Sequence, residues 1–437
     1  MRHRSALLNP VRFAAIPISL IFTVMPGCDA VSQLVAGLPG GTTTESLILF
    51  PGQPTQRVDE IEQGNDFAAA QQVVLPVSGA TSVFGRLESG TDVDIFRVSP
   101  VGANDVLVID VRAPSTDARA AVFDENATLL QSNDDRNYYA GVRDPRVQTT
   151  LRRDHGAVYV AVAAKGSGFL GALDGGSDYT IAITRSSAAL TPTTKSQRVW
   201  LEFEGGAGVR IAAEPLQNVP RFDPGVIHSA FAGDRQAIID RVVGFMAADF
   251  ADYDVTILSS DRDPRPEERM TVLFFGGYSS AFLGLADNVD WYNGATVQEA
   301  IIYTDTLSLF SSMINSRDQI AQAIGNVAAH ELGHLLGLEH TNNRDSIMSI
   351  AASASHVLNL NARFMNAAMH GSVFPAGTQY AQFKLALGPG LRDPNLTVES
   401  FLATQAARAI EPDALVVESP EFDIALEDVG LGFCSHN

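Results

Sequence analysis

Three histidines and a glutamate stand close together in the stretch His330, Glu331, Leu332, Gly333, His334, Leu335, Leu336, Gly337, Leu338, Glu339, His340. Four residues of α-helix turn through about 400°, so His334 returns almost over His330 and both imidazoles can meet one Zn2+ at roughly 2.0–2.1 Å. On a continuing helix His340 would point about 240° away from them and lie about 9 Å further along the axis. The helix must therefore end between His334 and His340. Gly337, with no Cβ to oppose a positive φ, lets the chain swing back toward the metal. Three neutral imidazoles leave the ion its double charge and an open fourth position for water, the donor set of a catalytic zinc. Glu331, beside the first ligand, is placed to take a proton from that water and return it to a leaving amine. Both roles point to amide hydrolysis without a covalent intermediate.

This pattern resembles the metzincin zinc peptidases. The likeness extends to Asp345, Ser346, Ile347 and Met348, because Met348 follows His340 by eight residues, the interval of the matrixin branch, whose methionine lies in a tight turn beneath the metal. Thr341 stands where matrixins usually carry Ser. The resemblance covers about 197–390 and implies a metzincin-like α/β zinc peptidase acting on protein or peptide substrates. It assigns the zinc to His330, His334 and His340, the general base to Glu331, and structural roles to Gly337 and Met348. It also implies an edge strand that binds peptide antiparallel to itself, for which Ala300 to Tyr303 is the candidate. Neither cysteine, Cys28 or Cys434, lies in a matrixin-like latency motif. His228, His356 and His370 share the region, but a lone histidine is more often solvated or satisfied by the fold than a ligand.

The elements that must position these residues can be read from hydrophobic spacing. Val199 to Phe203 reads as a strand, and Asp234 to Phe250 as a helix with Ile238, Ile239, Val242 and Met246 on one face. Strands are expected at Val255 to Leu258, Thr271 to Phe275 and Ile301 to Tyr303. The ligand-bearing helix should start after Ser316, with Gln319 reaching back as in a capping box, and turn Ile320, Ile324, Val327 and Leu335 toward the sheet. The order of strand, helix, three strands and helix predicts an α/β layer over 197–392. Residues 393–437 read as an acidic C-terminal segment, with seven acidic residues and no Lys or Arg from Glu411 onward.

Before this region, from 60 to 185, short β-branched runs are separated by turn residues: Val93 to Val98, Val106 to Val111, Val158 to Val162 and Tyr179 to Ile183 are examples. Strands so spaced, with no convincing helix between them, predict an all-β sandwich. The order Glu62, Asn65, Asp66, then Gly85, then Asp92 to Phe96, closing on Asp178 to Ile181, resembles the bacterial pre-peptidase C-terminal domain, an accessory sandwich of secreted peptidases. Asp92 and Asp94 are a candidate Ca2+ site, with solvated turn residues as the simpler alternative. The segment Asp287 to Gly294 offers calcium or a cleft rim, with an ordinary loop as its alternative. The polar, Pro-containing stretch 186–196 reads as a linker across which few contacts pass. The expected architecture is thus multidomain.

At the N-terminus, Arg2, Arg4 and Arg12 precede an apolar run that Pro17 and Pro26 interrupt, which reads as an export signal over 1–27. Cys28 follows Gly27 and resembles the acylated cysteine of bacterial lipoproteins. The expectation is a lipoprotein anchored on the cell envelope through 28–59 as a tether, or a secreted protein if cleavage is ordinary. A formal charge of −20, from 30 Lys and Arg against 50 Asp and Glu, sets a nucleic-acid partner aside. Two cysteines exclude a cystine-stapled scaffold. The competing class is a surface adhesion protein with a silent peptidase-like fold, and the intact Glu331 argues against it.

Overall fold

The computed structural model describes residues 55–61, 66–77, 79–137, 140–165, 176–188, 192–268, 270–350 and 353–410. The export segment, Cys28, Glu62, Asn65, Cys434 and the acidic stretch from Glu411 lie outside the described residues.

The N-terminal region is β-rich. Its strands are β1 (Thr55–Asp59), β2 (Gln71–Val74), β3 (Ala80–Leu87), β4 (Val93–Val101), β5 (Asp105–Arg112), β6 (Ala118–Phe123), β7 (Leu129–Asn133), β8 (Arg146–Thr150), β9 (Gly156–Ala164) and β10 (Ser177–Ser187). They form two five-stranded sheets, ordered β1-β3-β10-β5-β8 and β2-β4-β9-β6-β7. β1 falls inside the stretch read as tether and pairs in parallel with β3. The two sheets share one core. Leu107, Ile109, Val111, Ile181 and Ile183 come from the first, and Phe96, Val98, Val158, Val160 and Val162 from the second. In β5 the alternation is that of a strand with one covered face. In β6 every residue is buried, which needs a cover on both faces.

That second cover is the C-terminal α/β region. Its elements are β11 (Gln197–Glu202), a hairpin of β12 (Gly206–Val209) and β13 (Gln217–Val219), α1 (Pro224–Ile227), α2 (Arg235–Asp249), β14 (Val255–Ser259), β15 (Thr271–Phe275), β16 (Gly284–Ala286), β17 (Glu299–Ile302), α3 (Arg317–His334), α4 (Ala354–Val357), β18 (Asn366–Ala368), β19 (Thr378–Tyr380), α5 (Ala381–Leu387) and α6 (Val398–Ile410). Met369 and Phe374 pack on Val93, Ile95, Ala121, Phe123, Ala161 and Ala163, the outer face of the second N-terminal sheet. The rings of Phe123 and Phe374 meet edge to face at 5.5 Å. The polar character of 186–196 therefore does not report how much packing crosses it, because the seam is built by strand faces and a loop distant in sequence.

The central sheet runs β14-β11-β15-β17-β16, parallel except for β16. This corrects the expected edge strand. β17 lies between β15 and β16, and the edge belongs to β16, whose three residues, Gly284, Leu285 and Ala286, are too few to signal a strand. α2 and α3 pack beneath the sheet through Ile238, Ile239, Val242, Met246, Ile320, Ile324 and Val327. Ser316 caps α3 by accepting from the Gln319 N–H at 3.2 Å, but the Gln319 side chain accepts from the N–H of Asn315 rather than that of Ser316. The α/β region also continues past residue 392, since Phe401 of α6 is buried against Tyr253. No helix among the described residues is long and apolar enough to cross a membrane.

Phe374→Ala should remove the aromatic centre of the seam and lower the stability of the full chain by roughly 3–5 kcal/mol. A urea unfolding midpoint equal to that of the parent would show that the seam contributes little.

Candidate metal centre

α3 carries His330, Glu331 and His334 in its last turns, where every side chain is buried. Small residues make this possible. Ala328 and Ala329 let the helix sit close under the sheet, and at Gly333 a Cβ would meet the Met348 sulfur at 2.5 Å. Met348 thus fills the space directly below the ligand-bearing turn.

Each helical ligand has its ring fixed by a carbonyl. His330 Nδ1 lies 2.7 Å from the Ile347 oxygen, and His334 Nδ1 lies 2.7 Å from that of Leu338. A carbonyl can only accept, so Nδ1 carries the proton and Nε2 the lone pair, the tautomer a metal needs. The two Nε2 atoms approach to 2.9 Å. The chain beyond α3 reverses as the sequence predicts: Gly337 has φ +90° and donates to the His334 carbonyl at 2.9 Å. A Cβ there would also strike the Asp290 oxygen at 2.9 Å and the Tyr292 nitrogen at 3.0 Å, so conformation and space both require glycine. His340 returns with its ring 5.2 Å from that of His330 and 4.8 Å from that of His334. Ligand atoms of the three imidazoles all lie within 4.8 Å of one another. Neutral nitrogen donors converging in this way fit Zn2+, and their second partners are already in place.

Glu331 is fully buried, and neither carboxylate oxygen has a hydrogen-bond partner among the described residues. Burial pushes its pKa well above the ordinary carboxylate value. Gly284 of the edge strand lies against it, and a Cβ there would come within 2.8 Å of Glu331 Cγ and Cδ. Gly284 carried no signal in the sequence beyond being one of 36 glycines. Gln379 was equally silent. Its side chain accepts from the Glu339 N–H at 2.7 Å and donates to the Glu339 carbonyl at 2.6 Å, gripping the backbone next to the third histidine.

The calcium candidates are engaged otherwise. Asp92 accepts from the N–H groups of Glu88 and Val93, and Asp287 from those of Ala212 and Glu299. Asp290 accepts from Gly294, Ala295 and the Gln298 side chain. These carboxylates hold turns together, and Asp94 is buried beside Tyr179. Among the described residues the other group with metal-ligand spacing is Asp124, Glu125 and His155, where Arg153 already pairs with both carboxylates. His228, His356 and His370 belong to neither group.

Residues 285–363 match the matrixin family model, a span that contains the whole centre through Met348. No curated protein matches the chain. Among solved structures the chain is similar to archaemetzincin from Methanopyrus kandleri, at 15% identity and a TM-score of 0.24 over 40% of this chain and 92% of that one. A zinc-dependent peptidase from Methanocorpusculum labreanum overlaps at 14% identity and a TM-score of 0.23, over 37% and 92% of the two chains. The pre-peptidase C-terminal domain of a Bacillus anthracis collagenase overlaps at 13% identity and a TM-score of 0.20, over 26% and 94%. The family match and the three-imidazole centre together support a zinc metallopeptidase.

His340→Ala should weaken zinc binding by at least tenfold while α3 persists, because two ligands remain on the helix. Gly337→Ala should weaken it too, by displacing the loop that carries the third ligand. Zinc titration against a chromophoric chelator measures both. Parent-like affinity in His340→Ala would place the third ligand elsewhere.

Proposed function

We propose that this chain is an exported zinc-dependent endopeptidase of matrixin-like metzincin type, with Glu331 as its general base. The observation that carries the reading is the Glu331 carboxylate, buried without a hydrogen-bond partner among the described residues on the helical turn between two of three converging histidines. When bound, Zn2+ supplies a Lewis acid that polarises the scissile carbonyl and favours deprotonation of water. The chain's own residues do the rest. Burial raises the proton affinity of Glu331, which suits it to hold a proton at a carboxylate oxygen and return it to the departing nitrogen.

The substrate backbone aligns antiparallel with β16, whose outer edge pairs with no other strand of the central sheet. Gly284 serves this twice, as edge backbone and as the position whose missing side chain leaves room for Glu331. In this reading the two N-terminal sheets are a β-sandwich of the pre-peptidase C-terminal type. Export rests on Arg2, Arg4 and Arg12 ahead of the apolar run, with acylation at Cys28 holding the enzyme to the envelope.

A chelator should abolish cleavage of a fluorogenic peptide, and added zinc should restore it. Glu331→Ala should keep zinc at one per chain and lower turnover by about 10²–10⁴. Gly284→Ala should also keep zinc and lower turnover, since the new methyl group displaces the carboxylate. Near-parent turnover in Glu331→Ala would remove this residue from the chemistry.

A further inference from the structure

The loop from Gly337 to His340 is held by a set of clamps outside α3. Lys384 donates to the Gly337 carbonyl at 3.2 Å with its ammonium 4.1 Å from the Trp291 ring, Gln379 grips both backbone groups of Glu339, and the His370 N–H donates to the His340 carbonyl at 3.0 Å. Each clamp lies within three residues of an anchor on the N-terminal sheets. Arg119 of β6 donates to the carbonyls of Gly371 and Ser372 at 2.8 and 2.9 Å, next to His370. The carbonyl of Ala127, in the β6–β7 turn, accepts from the Thr378 N–H at 2.9 Å, next to Gln379. Arg152 donates to the Leu387 carbonyl, three residues past Lys384, and its guanidinium lies 4.5 Å from the ring of Tyr292, whose backbone nitrogen abuts Gly337. Ser132 of β7 makes a long contact, 3.4 Å, to the Glu339 carboxylate.

We propose that the N-terminal sheets are part of the scaffold of the metal centre, and that Arg119 and Arg152 are positioning residues for the third ligand, His340. This deepens the zinc-peptidase reading and rests on it. The physical argument is one of rigidity. His330 and His334 are placed by a helix, whereas His340 sits on a loop whose geometry is only as fixed as the carbonyls and N–H groups that hold it. Arg119 is buried almost completely and makes its bonds to backbone oxygens, a costly arrangement for a cation unless the contact fixes something. An accessory module joined only by a linker would not place such a side chain there.

The test uses the full chain and reads zinc affinity by chelator competition, together with kcat and KM at saturating zinc. Arg119→Gln and Arg152→Ala should each weaken zinc by about tenfold, as losses of outer-shell support do. Excess zinc should restore most of kcat in both, and Arg119→Lys should recover part of the affinity. Arg152→Ala guards against misfolding of the more deeply buried Arg119 variant. Ile109→Val, in the core between the N-terminal sheets, serves as the stability control and should leave zinc affinity unchanged. Folded arginine variants with parent affinity would overturn the proposal, as would an equal loss in Ile109→Val. A parent that binds zinc and cleaves nothing would defeat the peptidase reading alone, leaving the affinity comparison to decide this one.

Discussion

A helix can present two imidazoles to a metal but not three of this sequence, and that limit governs the rest of the molecule. Once His330 and His334 occupy one face of α3, the third donor has to come from chain that has left the helix. Everything between Gly337 and His340 is then backbone in a buried, irregular path, and buried backbone must find partners. Gly333 and His334 supply the first of those partners, and His370, Gln379 and Lys384, well beyond the motif, supply the rest. The Met turn holds the chain on either side of this stretch: the Thr341 N–H donates to the Met348 carbonyl at 2.8 Å and the Ile347 carbonyl fixes the His330 ring.

The same burial that encloses the imidazoles raises the pKa of Glu331. A carboxylate sealed from water favours its protonated form, and the cost of that burial is offset only when a proton or a nearby cation is present. The edge strand contributes by what it lacks. Gly284 brings backbone, not side chain, against the carboxylate, so the edge strand proposed to bind an extended peptide also lies beside the proposed proton-transfer group.

The convergence of the three histidines, the helix that carries two of them and the reversal at Gly337 were legible in the sequence because they depend on local geometry, namely residue spacing and a positive φ. The parallel strands β11, β14 and β15 were legible from their apolar runs. What the sequence hid was of two kinds. β16 is three residues, two of them small, with no alternation to read, and its role as edge arises from pairing with β17. Gln379, Lys384 and Arg119 are single polar residues whose meaning comes from long-range contacts, and no spacing rule marks them. One signal was available. β6 and β9, Ala118 to Phe123 and Ala157 to Ala164, are mostly small and apolar apart from Arg119 in β6, where a sheet with one solvated face would alternate. That pattern foretells a covered outer face, and with it the seam that the polar linker obscured.

The seam divides its labour by chemistry. Its centre is apolar, with Phe123, Met369 and Phe374 giving attraction without direction. Two cations give direction: Arg119 and Arg152 donate across the seam to backbone carbonyls rather than to carboxylates. A carboxylate partner would follow its own side-chain rotamers, whereas a carbonyl is part of the main chain, so a bond to it fixes the path of the loop itself. Arg152 shows the advantage most clearly. Leu387 is the last residue of α5, and its carbonyl belongs to the negative end of that helix, where a guanidinium is favoured by both hydrogen bonding and charge. In a chain with 20 more acidic than basic side chains, placing cations against oxygens of the main chain tethers α5 and the loops beside it in a defined register to the sheets, and through them the backbone that carries His340.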